Sequence, residues 1–391
     1  MKIKKYGDFF DEKRISAEID LPKDIVDIAA AYSNARKEIF LVGGAVRDFL
    51  QGIPPKDFDL VTDAMPEESK AILKGFRVSD EQGKKFGVIR VYTKAEPEGY
   101  EVASYRKDVS KGRDTKGDGQ KVEMGRHITI EDDCRRRDLT INALFYDINR
   151  KEIVDLVGGI EDIKNGVVRA VGDPAERFAE DRLRICRIFR FAARTGGEID
   201  AGTARAIMAD NRLRGIGVGE DVSQERIWEE FKKAWHQSKD FGAYLDMIER
   251  FDMWHQFFPG VKIGDPVASK DFAVVMAGIF AENDPALLER KLVLDFKIES
   301  DMAKKIAFLV SLRGIREDDI FDAYKKKIAS GIKDSTIIEW MRATGNSDRI
   351  IAGFVGYAPA ALSKELIERG YRGKELGEEI KRIEIERFKN R

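Results

Sequence analysis

The sequence predicts an α+β domain, a small mixed sheet with helices, followed by an all-α remainder. Through residues 1–150, short apolar runs with strand-like alternation are interspersed with segments of helical spacing. From about residue 173 the strand signals stop, and amphipathic helical segments continue to Arg391. A length of 391 residues accommodates about two to four domains of ordinary size.

Local patterns predict the individual elements of the first 150 residues. Helices are expected at 24–36 and 45–52, and strands at 39–42, 57–62, 86–93 and 100–106. Residues 107–126 are rich in Gly and charged side chains and follow directly on a predicted strand. This favours a flexible functional loop over an interdomain linker, with a solvated insertion as the alternative.

Two helices stand out in the later part of the chain. Residues 176–195 combine apolar helical spacing with an Arg-rich opposite face, which predicts one continuous helix. A second helix is predicted at 223–235, with Ser223 as its N-cap.

Composition excludes several classes of protein. Hydrophobic residues make up 43% of the chain, which is too many for a disordered protein. Two cysteines are too few for a disulfide framework or a four-cysteine zinc site, and they fit a reducing cytoplasm. No apolar run approaches the roughly 20 residues that span a bilayer, so no membrane association is expected. The net charge of −1 means that nucleic-acid binding would need local basic patches.

The carboxylates Asp57 and Asp59 are the first candidate site. They stand two residues apart on a predicted strand and would therefore share a face, where their repulsion favours a bound cation. Mg²⁺ is the default cation for oxygen ligands. If the strand that carries Glu101 lies beside this one, three carboxylates converge, as in a two-metal phosphoryl-transfer or nucleotidyl-transfer site.

The dipeptide Gly43-Gly44 supplies a second feature. Glycines between a strand and a helix let backbone N–H groups approach phosphate oxygens, and Arg47 adds a bidentate phosphate partner next to Asp48. The segment lacks the Gly-Lys-Ser/Thr of a Walker A loop.

Two further clusters have the chemistry to read a nucleotide. Asp138 and Asn142, after Arg137, are four residues apart, and such a pair on one helical face can hold a ribose hydroxyl. Asp181 and Arg184 are three residues apart, and an acceptor beside a guanidinium can read a base edge. Taken alone, each cluster is also compatible with ordinary surface ion pairs.

Four successive segments resemble the class II nucleotidyltransferases of the polymerase-β superfamily. They are LVGGAVRDFLQGIPPKDFDLVT, CRRRDLTINALFYD, DLVGGIEDI and RFAEDRLRICRIFRFAART, within residues 38–235. That group includes tRNA CCA-adding enzymes, their CC-adding and A-adding relatives, and bacterial poly(A) polymerases. The resemblance implies a polymerase-β-like head at 1–150, a helical neck for base recognition at 151–240, and a helical body and tail that bind tRNA at 241–391.

The resemblance also implies residue roles. Asp57 and Asp59 would bind two Mg²⁺ ions, with Glu101 as a third catalytic carboxylate. The nucleotides ATP and CTP would be bound by Gly43, Gly44, Arg47, Asp48, Arg137, Asp138, Asn142, Asp181 and Arg184. Of these, Asp181 and Arg184 would choose the base without a nucleic-acid template. The loop at 107–126 falls where the family has a flexible loop, and its full length argues against an enzyme that adds only CC.

The implied activity is addition of CCA, or of its terminal A, to the acceptor end of tRNA in the cytoplasm. A poly(A) polymerase that extends RNA 3′ ends is the alternative within the family. An inactive RNA-binding protein on the same scaffold is an alternative of another class, and the presence of Asp57, Asp59 and Glu101 argues against it. A nucleotidyltransferase that acts on a small molecule or a protein also remains open.

Overall fold

The computed structural model describes residues 13–80, 87–109, 121–213, 222–360 and 362–390. The chain divides into two compact units. The first comprises Met1–Val222 and His236–Phe251, and the second comprises Ser223–Trp235 and Asp252–Arg391.

A mixed sheet forms the centre of the first unit. Within the described residues its eight strands are β1 (Lys13–Ser16), β2 (Ile39–Val42), β3 (Asp59–Thr62), β4 (Arg77–Ser79), β5 (Val88–Tyr92), β6 (Tyr100–Ser104), β9 (Leu144–Asp147) and β10 (Glu152–Asp155). Their order in the sheet is β1-β10-β9-β2-β3-β6-β5-β4. Of the described pairings, that of β3 with β6 is parallel and the others are antiparallel.

Strand β2 shows why this sheet is stable. Its four residues are all buried. Ile39 and Leu41 pack into the core on one face of the sheet, and Phe40 and Val42 pack into the core on the other. Because successive side chains of a strand point to opposite faces, a strand covered on both faces reads as a continuous apolar run.

Helices and two small strand pairs complete the first unit. The helices are α1 (Lys23–Asn34), α2 (Gly44–Leu50), α3 (Pro66–Ile72), α4 (Ile130–Arg135), α5 (Gly159–Asn165), α6 (Pro174–Glu180), α7 (Leu183–Thr195), α8 (Ala201–Leu213) and α10 (Phe241–Arg250). Strands β7 (Arg106–Val109) and β8 (Lys121–Met124) form an antiparallel pair, and β11 (Val167–Val168) pairs in parallel with β12 (Glu198–Ile199).

The second unit contains helices joined by turns and loops, and no strand among its described residues. Its helices are most of α9 (Gln224–Gln237), then α11 (Trp254–Phe257), α12 (Phe272–Ile279), α13 (Pro285–Leu294), α14 (Ser300–Ser311), α15 (Ile320–Ser330), α16 (Asp334–Ala343), α17 (Asp348–Val355), α18 (Ser363–Glu368) and α19 (Gly373–Lys389). An aromatic cluster lies in its core. Trp228 stacks on Phe272 with ring centroids 5.6 Å apart, and Phe231 meets Phe258 edge-on at 5.4 Å.

The structure confirms the predicted α+β fold class and corrects three local predictions. First, the sheet is larger than expected, because β1, β4, β9 and β10 were not predicted. Second, the two ends of the predicted loop at 107–126 pair as β7 and β8, and residues 110–120 lie outside the described residues. Third, the helix predicted at 176–195 is interrupted. Asp181 has an extended backbone (φ −154°, ψ 106°), and its carboxylate accepts the amide hydrogen of Leu183 where α7 begins.

None of the described helices is both long enough and apolar enough to cross a membrane.

Candidate functional site

The two strands that carry Asp59 and Glu101 are neighbours, which is the condition that the sequence analysis set for a site of three carboxylates. Strands β3 and β6 run parallel, with Leu60 opposite Val102. Asp59 and Glu101 immediately precede these two residues, so both stand at the same end of the sheet. Strand β3 begins at Asp59, which pairs with Val42, the last residue of β2. Asp57 therefore precedes the strand and does not belong to it.

The charges of the three carboxylates interact. Asp59 is exposed at the start of β3, but partial loss of solvent around its carboxylate raises its pKa, and the negative charges of Glu101 and Asp57 raise it further. The guanidinium of Arg137 acts in the opposite direction. Repulsion of this kind favours the binding of a cation, as predicted from the spacing.

Glu101 also has a protein partner. Its carboxylate accepts a hydrogen bond of 2.5 Å from Arg90, the residue directly opposite on β5. Among the residues that the structure describes, no three His, Cys, Asp or Glu side chains are grouped closely enough to hold a metal ion by themselves. A cation at Asp57 and Asp59 would therefore take its remaining ligands from water or substrate oxygens, as Mg²⁺ ordinarily does.

The turn from β2 into α2 depends on Gly43, which has a φ of +68°. That conformation is costly for residues with a Cβ. Three residues after Gly44, Arg47 is only 2% exposed. Its Nη1 donates to Asn142 Oδ1 at 2.5 Å, and its Nη2 donates to Asp48 Oδ1 at 2.7 Å. Arg47 therefore joins the Gly-Gly turn to the segment that carries Asn142.

Asp138 and Asn142 are in contact, but not on an α-helix. Asn142 Nδ2 donates to Asp138 Oδ1 at 3.3 Å. The chain between them is extended at Leu139, which bridges to Ala170, and then forms a 3₁₀ turn over Thr140–Asn142. The predicted helical face is wrong for this reason, although the predicted proximity is confirmed.

Arg137 is held by a buried acid of α4. Its Nη2 donates to Asp133 Oδ2 at 2.9 Å, and Arg136 Nη2 lies 2.7 Å from Asp133 Oδ1. Burial raises the pKa of Asp133, but the charges and hydrogen bonds of Arg137 and Arg136 outweigh burial and hold that pKa below its usual value. This pair of arginines is oriented by a carboxylate that is 0% exposed.

Asp181 and Arg184 flank the break between α6 and α7. Arg184 is 7% exposed. Its Nη1 donates to Glu180 Oε2 at 2.8 Å, and its Nη2 donates to the backbone oxygen of Arg136 at 2.9 Å and to Asp108 Oδ2 at 3.4 Å. Since Asp108 belongs to β7, the residue predicted to read the base contacts the strand pair at the base of the predicted loop.

Three further arginines of α7 were not predicted as site residues. Arg187 Nε donates to Asp138 Oδ2 at 2.7 Å, and Arg194 Nη2 donates to Asp48 Oδ2 at 2.9 Å. Arg190 Nη1 donates to Gln237 Oε1 at 2.8 Å. Their spacing of three, then four residues places them on one helix face, and the Arg-rich face noticed in the sequence was the available signal.

Two of these arginines and Arg47 of α2 meet at one aromatic ring. The guanidinium carbons of Arg190, Arg47 and Arg187 lie 4.2, 5.0 and 5.6 Å from the centroid of Phe191. Cations at such distances are attracted by the ring face. Phe191 thus ties α7 to α2 and to the Asp138–Asn142 segment.

Comparison with known sequences identifies relatives that match most of the chain. Residues 39–169 match the family described as the poly A polymerase head domain. The CCA-adding enzyme of Streptococcus pyogenes serotype M2 is 31% identical over 332 residues, which is 78% of this chain and 76% of that protein. Poly(A) polymerase I of Escherichia coli O157:H7 is 30% identical over 309 residues, which is 76% of this chain but only 61% of that protein.

Comparison with solved structures concerns the fold. The CCA-adding enzyme of Bacillus stearothermophilus in complex with CTP matches with a TM-score of 0.64 at 22% identity, over 93% of this chain and 91% of that chain. The Thermotoga maritima CCA-adding enzyme complexed with tRNA-CCA matches with a TM-score of 0.65 at 18% identity, over 97% of this chain and 95% of that chain.

Proposed function

The chain belongs to the family of CCA-adding enzymes and bacterial poly(A) polymerases, and we propose that it adds CCA, or its terminal A, to tRNA 3′ ends. The observation that supports the proposal is that Asp59 and Glu101 stand at the same end of two adjacent parallel strands, where the charges of Glu101 and Asp57 raise the pKa of Asp59. The CCA-adding relative from S. pyogenes is matched over 76% of its length, and the poly(A) polymerases over 61%. This difference favours CCA addition over poly(A) synthesis.

We assign the carboxylates to metal binding. Asp57 and Asp59 would hold two Mg²⁺ ions, whose charge would stabilise the transferring phosphate, with Glu101 as the third catalytic carboxylate. The donor set consists of oxygens alone and carries excess negative charge, which suits Mg²⁺.

The remaining candidate residues would bind and orient the nucleotide. Gly43, Gly44, Arg47 and Asp48 are assigned to the triphosphate, and Arg137, Asp138 and Asn142 to the ribose. The 3′-hydroxyl of the RNA then attacks the α-phosphate of ATP or CTP, and the bond to pyrophosphate breaks. Positioning supplies much of the rate in such reactions.

The proposal keeps the division into a head at 1–150, a neck at 151–240, and a body and tail at 241–391 that bind tRNA. It also assigns the enzyme to the cytoplasm, since Cys134 and Cys186 are both buried and form no disulfide, as is usual in a reducing compartment.

Base selection provides a test of one assignment. Arg184→Ala is expected to raise the kcat/KM for GTP relative to ATP by about 10- to 100-fold, since a bidentate contact contributes roughly 1–3 kcal/mol of discrimination. Arg205→Ala, on the exposed face of α8, is the matched control. For both variants, kcat/KM is measured for incorporation of single nucleotides, ATP and GTP, on a tRNA that ends in CC. Unchanged exclusion of GTP and UTP in Arg184→Ala would remove Arg184 from base reading.

The overall function is tested by the product ladder. Purified protein with Mg²⁺ is incubated with tRNA transcripts that end at the discriminator base, at C or at CC, and with CTP and ATP singly and together. Growth that stops after CCA supports the complete activity, and A added only to the CC end supports terminal A addition. A long adenosine ladder would make the protein a poly(A) polymerase, and no product would favour the inactive RNA-binding alternative.

A further inference from the structure

The carboxylate of Asp138 is oriented by three donors among the described residues. Its Oδ1 accepts from the amide of Leu139 at 2.9 Å and from Asn142 Nδ2 at 3.3 Å, and its Oδ2 accepts from Arg187 Nε at 2.7 Å. A carboxylate offers about four lone-pair positions. The three bonds use two lone pairs of Oδ1 and one of Oδ2, so Oδ2, the oxygen that is bonded to Arg187, can accept one more hydrogen bond.

Arg187 is itself held in a defined direction. It lies on α7 with its guanidinium over the ring of Phe191, and its side chain is 33% exposed. Burial raises the pKa of Asp138, but the charge and hydrogen bond of Arg187, together with Asn142 and the Leu139 amide, bring it below its usual value. Asp138 is therefore an ionised acceptor with a fixed orientation, 11% exposed.

We propose that Arg187 is a positioning residue for sugar selection, because it aims Asp138 Oδ2 at the 2′-hydroxyl of the incoming nucleotide. The proposal rests on the proposed function in one respect, the assignment of Asp138 to the ribose. Arg184, assigned to the base, stands three residues earlier on α7. One helix therefore sets both discriminations, the base through Arg184 and ribose against deoxyribose through Arg187.

The test compares equilibrium binding of ATP and dATP, with Mg²⁺, to the full-length protein. The wild type is expected to prefer ATP by about tenfold, as for loss of one hydrogen bond to a charged group. Arg187→Gln is expected to reduce that preference to within about twofold, while dATP affinity changes little. The control Arg205→Gln, an exposed arginine of α8, retains the wild-type ratio.

A double-mutant cycle shows whether Arg187 acts through Asp138. Asp138→Asn alone is expected to lose the preference for ATP, and adding Arg187→Gln to it is expected to change the ratio no further. A ratio that stays at the wild-type value in Arg187→Gln, or two effects that simply add, overturns the proposal. If Arg187→Gln does not fold by circular dichroism, Arg187→Met, which has no hydrogen-bond donor on its side chain, is measured instead, and a wild-type ratio there overturns the proposal as well.

This readout separates the inference from the proposed function. A protein that adds nothing to tRNA but prefers ATP through Arg187 and Asp138 contradicts the function and supports the inference. A protein that adds CCA while binding ATP and dATP equally supports the function and overturns the inference.

Discussion

Asp59→Asn is expected to reduce nucleotide addition by about 1,000-fold or more while the protein remains folded. A metal-binding carboxylate at a phosphoryl-transfer site contributes several kcal/mol to the transition state, and each 1.36 kcal/mol is about tenfold in rate. Stability is not expected to fall, because partial loss of solvent and the charges of Glu101 and Asp57 already disfavour the ionised form of Asp59. Asn keeps the shape of the side chain and removes that charge.

The measurement pairs incorporation of ATP into a CC-ended tRNA with thermal unfolding followed by circular dichroism. Asp27→Asn, which replaces an exposed carboxylate of α1, serves as the control and should retain both the wild-type activity and the wild-type midpoint of thermal unfolding. Activity of Asp59→Asn within tenfold of wild type would refute the assignment of Asp59 to metal binding. A collapse of the unfolding midpoint would instead give Asp59 a structural role.

Asp133→Asn is expected to lower the free energy of unfolding by about 3–5 kcal/mol, the usual cost of removing one partner from a buried ion pair. Asp133 is 0% exposed and binds both Arg136 and Arg137. The neutral amide would leave two guanidinium groups without a counter-charge. Urea unfolding at pH 7 measures the loss, and Glu131→Gln on the same helix is the control. A loss below 1 kcal/mol would show that the arginines are stabilised by other groups.

The same ion pair predicts a dependence on pH. The folded-state pKa of Asp133 lies below its usual value, so its contribution to stability is full above about pH 4, the unfolded pKa. That contribution is lost as the pH falls further and the carboxylate is protonated in the folded state. The difference in unfolding free energy between wild type and Asp133→Asn should therefore shrink below pH 4. A difference that stays constant down to pH 3 would contradict this.

The predicted elements are those in which the order of apolar and polar residues matches which faces are buried in the structure. Strand β2 is an unbroken apolar run because both of its faces are covered. Strand β1 has a mostly exposed pattern and depends on pairing with β10, whose residues lie 136 or more positions later in the chain. Such long-range pairing leaves no periodic signal in four residues.

In the candidate site, too, some contacts could be predicted from local sequence and others could not. Asp59 and Glu101 could be brought together by reasoning from strands, because neighbouring strands align their ends. The bond between Arg194 and Asp48 spans 146 positions, and nothing near either residue indicates it. The break at Asp181 was missed because its cause is a side chain that caps the next helix, while the apolar spacing continues across the break.

The interleaving of the two units along the chain restricts how the protein can be cut and synthesised. A fragment that ends at Val222 lacks α10, and with it the contact of Phe251 with Phe189 at 5.3 Å. A fragment that begins at Asp252 lacks Ser223–Trp235, and with it the Trp228 and Phe231 of the aromatic core. No single truncation point within the described chain therefore yields both units intact. During synthesis, the first unit is complete only after Phe251 has left the ribosome. By then Ser223–Trp235 has also been synthesised, but the rest of the second unit, with which it packs, has not.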